Sequence, residues 1–282
     1  MNDSLKRELE LTAGKIRLHA VDAIYHAKSG HPGGSLSIAD ILAYLYFVEM
    51  HVDPKNPKWE DRDRLVLSKG HAAPALYAAL ALKGFFPVSE LKNLRKPGCM
   101  LQGHPDMKGT PGIDMSTGSL GQGISAACGI ALAGKLDNKG YRVYAVLGDG
   151  ELQEGQVWEA AMFAAHRKLD NLCIFVDNNG LQIDGKVCEV CSPHPITDKF
   201  AAFGFETLTI DAHSFDEIEH ALQHARSVKG KPTAIIANST KGKGVSYMEH
   251  NVSWHGAAPN KDQHAVAMSE FERFNGEEQS YV

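Results

Sequence analysis

The sequence has 282 residues, 43% apolar and 22% charged, the make-up of an ordinary globular chain long enough to bury a sizeable core. A formal net charge of −5 argues against a surface built for nucleic acid or an anionic membrane, and points to small molecules or proteins as partners. The longest apolar stretch, 41–48, is too short to span a bilayer, the charged start MNDSLKRELEL has no apolar leader core, and five scattered cysteines fit a reducing compartment, so the expected location is cytoplasmic.

From the N-terminus, Leu5, Leu9, Ile16, His19, Ala20, Ala23 and Ile24 fall on one broad face of a helix expected over 4–28, ending at Ser29-Gly30. The loop His31-Pro-Gly-Gly34 separates it from a second helix, 38–50. A polar turn, 53–58, and the run Asp61-Arg-Asp-Arg64 lead into a short strand, 65–67, which runs into Ser68-Lys-Gly-His71. An alanine-rich helix, 72–83, follows. Residues 97–118 read as a loop of a length that is usually functional or mobile in a compact domain. It closes on Gly118-Ser-Leu-Gly-Gln-Gly123, a glycine-rich turn able to hold phosphate at the start of a helix over 124–135.

The rest of the chain is read against residues 148–185. Two β-rich apolar runs, 141–147 and 172–176, flank Trp158, Ala161, Met162, Ala165 and Leu169 at helical spacing, so the unit is strand, helix, parallel strand. A right-handed crossover brings both carboxyl ends to one sheet edge, where open α/β sheets bind ligands. Asp149 of Gly148-Asp149-Gly150 and Asn179 of Asp177-Asn178-Asn179-Gly180 are therefore expected to be neighbours. With a backbone carbonyl from the next turn, that of Leu181, they give three hard oxygen ligands, a set suited to Mg2+ completed by phosphate oxygens and water. Gly148 and Gly150 let the backbone approach a diphosphate, and the following helix start offers free N–H groups. Glu151 and Glu154 would repel such an anion unless they point away.

Beyond this box, 193–205 reads as irregular, and strand 206–211, helix 215–228 and strand 233–238 complete another α/β repeat. Lys241-Gly-Lys-Gly244 leaves the last strand at the same edge, and a short helical stretch, 268–274, precedes 275–282. No repeat, low-complexity tract or compositional break divides the chain, so the expected fold is α/β: one doubly wound domain over 1–282, with a mostly parallel sheet and helices on both faces. Cys188, Cys191 and His194 have a metal-like spacing, but no second pair closes a tetrahedral site. His31, His71, His104 and His255 each sit in a glycine-flanked loop (SGHPG, KGHAA, QGHPD, SWHGA), and all four loops can approach the ligand edge.

GDG, an intervening helix and NN resemble the thiamine diphosphate motif, and ELQEGQVWEAA with DNNGLQIDG is similar to transketolases in particular. RDRLVLSKGH, GHPD, PGIDMSTGSLGQG and TKGKG extend the likeness over residues 10–260 in order. The resemblance implies thiamine diphosphate as cofactor, with Mg2+, or Ca2+ or Mn2+ in its place, held by Asp149, Asn179 and the Leu181 carbonyl. It implies cofactor contacts at Gly34, His71, Gly118, Ser119, Leu120, Gly150, Asn179, Lys241 and His255, and substrate contacts at His31, His104 and His255. The four histidines take the catalytic roles, and Glu154 falls between the two active sites of a dimer. Such chemistry wants imidazoles near pH 7, whose neutral and protonated forms can stabilise an alkoxide and relay the proton of a hydroxyl. Gly34-Ser35 stands where many relatives carry proline.

Members of that family are longer, and their second part supplies the pyrimidine-binding and C-terminal domains, the glutamate that activates the cofactor and the arginines that grip the sugar phosphate. No residue here matches those. The expectation is therefore the N-terminal subunit of a split transketolase, paired with a C-terminal subunit in a heterotetramer holding two of each chain. It would move a two-carbon ketol unit from a ketose phosphate such as xylulose 5-phosphate to an aldose phosphate such as ribose 5-phosphate or erythrose 4-phosphate, in the pentose phosphate pathway. One alternative is a split relative serving a catabolic route for apulose phosphate or a sulfo-sugar, and another is a non-catalytic thiamine diphosphate-binding module. A 1-deoxyxylulose-phosphate synthase resembles the chain less, because GELQEG and the GHPD and SGHPG loops follow transketolases.

Overall fold

Strand runs that are apolar at nearly every position call for a sheet covered on both faces. In the computed structural model, which describes residues 1–274, that sheet has five strands. In chain order the strands are β1 (Arg64–Leu67), β2 (Val143–Gly148), β3 (Leu172–Asn178), the small antiparallel hairpin of β4 (Leu181–Gln182) and β5 (Gly185–Lys186), then β6 (Glu206–Asp211) and β7 (Thr233–Asn238). The main sheet runs β1-β2-β3-β7-β6 with every neighbour parallel, so all five carboxyl ends share one edge.

The helices are α1 (Asp3–Ala27), α2 (Pro32–Leu36), α3 (Ala39–Tyr44), α4 (Ala73–Lys83) and α5 (Gln122–Leu136). They continue with α6 (Gly155–His166), α7 (Val187–Val190), α8 (Ile196–Ala202), α9 (Phe215–Ser227) and α10 (Lys261–Glu270). The two-residue period of the strands divides the core between two helical layers. Tyr144, Val146, Cys173, Phe175, Ile235 and Ala237 pack toward α1, α3, α4 and α9. Val143, Ala145, Leu147, Ile174, Val176 and Ile236 pack toward α5, α6 and α8. Among the described residues no helix is long and apolar enough to cross a membrane.

Several expectations change. The helix expected over 38–50 passes from α3 into a wider π-type turn at Leu45–Glu49. The segment 193–205, read as irregular, contains α8, whose Phe200 is fully buried. α6 ends at His166, before Leu169, and Met162, placed on its apolar face, is 61% exposed, while Val157, Ala160, Ala161 and Ala164 face the core. Near the end, α10 starts at Lys261, well before 268, because Asn260 and Gln263 form a reciprocal capping box. The stretch 275–282 lies outside the described residues.

Candidate functional site

Lys69, Asp149, Asn179 and Lys241 follow the carboxyl ends of β1, β2, β3 and β7, so the parallel register delivers four polar side chains to one edge. Asp149 clips two turns together, accepting from Gly150 N through Oδ1 (2.8 Å) and from Gly180 N through Oδ2 (2.6 Å). Asn179 accepts from Leu181 N through Oδ1 (3.1 Å) and donates through Nδ2 to Asp177 (2.9 Å). The Leu181 carbonyl accepts from Lys241 Nζ at 2.8 Å, and that ammonium lies 2.9 Å from His255 Nδ1. These groups surround a cavity of about 210 Å3 that His71, Leu120, Gly150 and Glu154 also line.

The donor set fits a hard divalent cation. Burial, followed by the nearby Asp177 carboxylate, pushes the Asp149 carboxyl up to about 6, the behaviour of an anion short of positive charge. Carboxylate, amide and carbonyl oxygens are what Mg2+ takes when phosphate and water complete its octahedron. Gly150 keeps the turn slim, since a Cβ there would stand 3.2 Å from that of Gln182. Among the described residues no three His, Cys, Asp or Glu side chains converge on a metal position, so the candidate set rests on one carboxylate with amide and carbonyl oxygens, and Cys188 and Cys191 are exposed.

Beneath these groups lie residues to which the sequence motifs assign no role. Asp177 is fully buried and accepts from Lys69 Nζ, Ser239 Oγ, Ser37 Oγ (2.7 Å) and Asn179 Nδ2. Burial pushes its pKa up, yet Lys69 and the hydroxyl donors hold it below the usual carboxylate value. Lys69, 1% exposed, also donates to the Gly34 carbonyl at 2.9 Å. A Cβ on Gly34 would crowd Lys69 Nζ (3.3 Å) and His71 Nε2 (3.2 Å), which accounts for the glycine there. Their signal in the sequence is a charge set at the end of an apolar run, LVLSK and CIFVD, where burial is costly without a partner.

Glu151 does not face an incoming anion. It turns inward and accepts from Ser68 Oγ, Gly121 N (2.8 Å) and Gly148 N (3.0 Å), joining the glycine-rich loop to the end of β2. The exposed Glu154 lines the cavity. The expected helix start after GDG is a tight 3-10 turn at Gly150–Gln153, with α6 beginning only at Gly155. In the glycine-rich loop, Leu120 lines the cavity, Ser119 is exposed, and Gly118 backs onto the His104 ring, 3.0 Å from where its Cβ would be.

The four histidines come together. Ring centroids are 5.3 Å apart for His31 and His71, 5.6 Å for His31 and His255, 6.3 Å for His31 and His104, and 5.1 Å for the stacked pair His71 and His255. The Tyr77 hydroxyl donates to the His104 carbonyl at 2.9 Å, fixing that loop. Burial is the first cause in lowering all four pKa values, to about 4 for His31 and about 3 for His255. Neighbouring cations, Arg95 for His31 and His104 and Lys241 for His255, add to it. All four shifts run in the direction that favours the neutral imidazole over the protonated one. Among the described residues His31 Nδ1 is a buried polar atom without a hydrogen-bond partner.

Residues 9–280 match the family described as transketolase, thiamine diphosphate binding domain. The chain is 50% identical over 266 residues to the 6-deoxy-6-sulfo-D-fructose transketolase subunit SqwG of Clostridium sp. (strain MSTE9), covering 94% of this chain and 97% of that one. It is 42% identical to an apulose-4-phosphate transketolase subunit of Phocaeicola vulgatus, covering 93% of each. Among solved structures, transketolase from Campylobacter jejuni superposes with a TM-score of 0.88 at 35% identity, covering 97% of this chain and 46% of that one. The chain thus spans about half the length of that transketolase.

Proposed function

The chain belongs to the transketolase family through its thiamine diphosphate-binding domain, and from that premise we propose that it is the N-terminal subunit of a two-polypeptide transketolase serving a dedicated sugar-catabolic route. One observation carries this reading. Two relatives named as subunits match the chain nearly end to end, and their names specify a sulfo-sugar and apulose 4-phosphate. A sulfo-sugar donor of the 6-deoxy-6-sulfo-fructose kind is therefore the leading substrate class, and the xylulose and ribose phosphate pair becomes the second reading. The chain acts as a single diphosphate-binding domain, with the pyrimidine-binding and C-terminal domains on the partner, two of each chain, and Glu154 near the contact between the two sites.

Asp149, Asn179 and the Leu181 carbonyl would hold Mg2+, while Lys241, with Gly34, Gly118, Ser119, Leu120, Gly150 and His71, meets the cofactor. Bound there, thiamine diphosphate supplies a carbon nucleophile and an electron sink for cleavage of a carbon–carbon bond. The neutral rings of His31 and His255 accept and return the proton of the donor's hydroxyl. His104 donates hydrogen bonds to substrate hydroxyls, and His71, stacked on His255, holds that ring in place.

The test is purification of the chain from its own cells under gentle conditions, followed by assay of the partnered and isolated forms. The partnered form should use 6-deoxy-6-sulfo-fructose at least about tenfold more efficiently than xylulose 5-phosphate, a difference of about 1.4 kcal/mol in transition-state binding. Full activity from the isolated chain would sink the split reading, and a preference for xylulose 5-phosphate would restore the pentose phosphate one.

A further inference from the structure

Behind Lys241 a line of hydrogen bonds crosses from α1 to the turn after β7. Arg17 donates through Nη1 (3.2 Å) and Nη2 to Asp40 of α3, and through Nε to the Leu36 carbonyl at the end of α2 (3.2 Å). Asp40 Oδ2 is 2.7 Å from His213 Nδ1, and His213 Nε2 is 2.9 Å from the backbone nitrogen of Thr240, the residue before Lys241. Arg17 and Asp40 are both buried.

The chemistry of the ends fixes the tautomer in the middle. A peptide N–H can only donate, so His213 Nε2 presents a lone pair to Thr240. Burial raises the Asp40 pKa, but the Arg17 charge, followed by the hydrogen bonds from His213 and Arg17, brings it down to about 2, so that carboxylate can only accept. Nδ1 must then carry the proton. His213 is held as a neutral ring with one defined orientation, donating to Asp40 and accepting from the main chain.

We propose that His213 is a positioning residue for the cofactor-binding turn, setting Thr240 and Lys241 in register with the His31 loop. Both segments are tied to the same ion pair. Arg17 grips the end of the helix that begins after His31, Asp40 orients His213, and His213 anchors the amide next to Lys241. A direct backbone bond, Gly242 N to the Gly33 carbonyl at 3.0 Å, closes the circuit on the other side. The side chain that reaches the Leu181 carbonyl and His255 is thus aimed from a backbone that His213 fixes. The inference rests on the reading that Lys241 meets the cofactor, but its structural core can be tested without that.

In the wild-type full chain, labelled with 15N in the histidine rings, His213 should show a protonated Nδ1 and an unprotonated Nε2. The opposite tautomer, or a doubly protonated ring at pH 7.5, overturns the proposal. Two variants then separate positioning from packing. His213→Asn keeps a donor near Asp40 and loses the acceptor, whereas His213→Gln can place an oxygen where Nε2 was. Exchange of the Thr240 amide should be at least about tenfold faster in His213→Asn and within about threefold of wild type in His213→Gln. Affinity for thiamine diphosphate with Mg2+ should follow the same order, about tenfold weaker in His213→Asn. A lower melting temperature in both variants, with Thr240 exchange and cofactor affinity unchanged, would make His213 a packing residue only. A wild-type chain that binds no cofactor would count against the proposed function, and the tautomer and exchange measurements would still decide this inference.

Discussion

At Asp177 four donors converge on one carboxylate with no access to water, and the Lys69 ammonium is the one that carries charge. A buried ion pair of this kind adds little net stability, but removing one partner strands the other. Asp177→Asn should therefore cost about 3–5 kcal/mol in urea unfolding. Lys69→Met added to it should restore part of that loss, a coupling that a double-mutant cycle measures. His31 gives a prediction of opposite kind. Its pKa falls from the ordinary 6.5 to about 4 in the folded chain, so between those values the unfolded chain binds a proton that the folded one refuses. Stability is then lost as pH drops from about 6.5 toward 4. His31→Gln should flatten that slope, gaining on wild type by on the order of 1 kcal/mol between pH 6.5 and 5, once solvent screening of a half-buried ring is allowed for. Urea midpoints at pH 7.5 and pH 5 check it, and parallel slopes would show that the ring is not depressed.

On the scale of elements, α5 begins where it does because Gly123 rests on the end of β1. A Cβ there would lie 2.6 Å from Ser68 Cα, a main-chain atom that cannot swing aside. Gly123→Ala should destabilise the chain by about 1–3 kcal/mol and, through the Ser68 bond to Glu151, weaken cofactor binding as well. The same scale shows where the sequence was opaque. α10 has a single buried residue, Ala267, so it carries no apolar stripe to read, and its one signal was the local pair Asn260 and Gln263. Asn260→Ala should cost about 1 kcal/mol, the usual worth of such a cap, with cofactor affinity unchanged. α8 is hidden for another reason. Seven residues between Pro195 and the Phe203-Gly204 turn look like loop, and the burial of Ile196 and of Phe200 against Trp158 and Phe205 makes them a helix.

Across the whole molecule, what could be read in advance was what parallel α/β topology encodes locally. Alternating strand and helix runs fix the sheet, and a strand-end turn such as GDG or NNG announces a ligand edge because that edge is shared. The pairing of Lys69 with Asp177 joins residues 108 apart across three strands and leaves no local pattern. The same topology makes the last prediction specific. A ligand present at a hundred times its dissociation constant stabilises the folded state by about 2.7 kcal/mol, which for domains of this size raises the melting temperature by roughly 5–10 °C. If this chain holds the diphosphate and metal while a partner holds the pyrimidine ring, thiamine diphosphate with Mg2+ should give that full shift only with the partner present, and a far smaller one alone. EDTA should abolish the shift in either case, because Asp149, Asn179 and the Leu181 carbonyl grip the diphosphate through the cation rather than directly. A full, chelator-insensitive shift in the isolated chain would contradict both the divided cofactor site and the oxygen cage proposed for the metal.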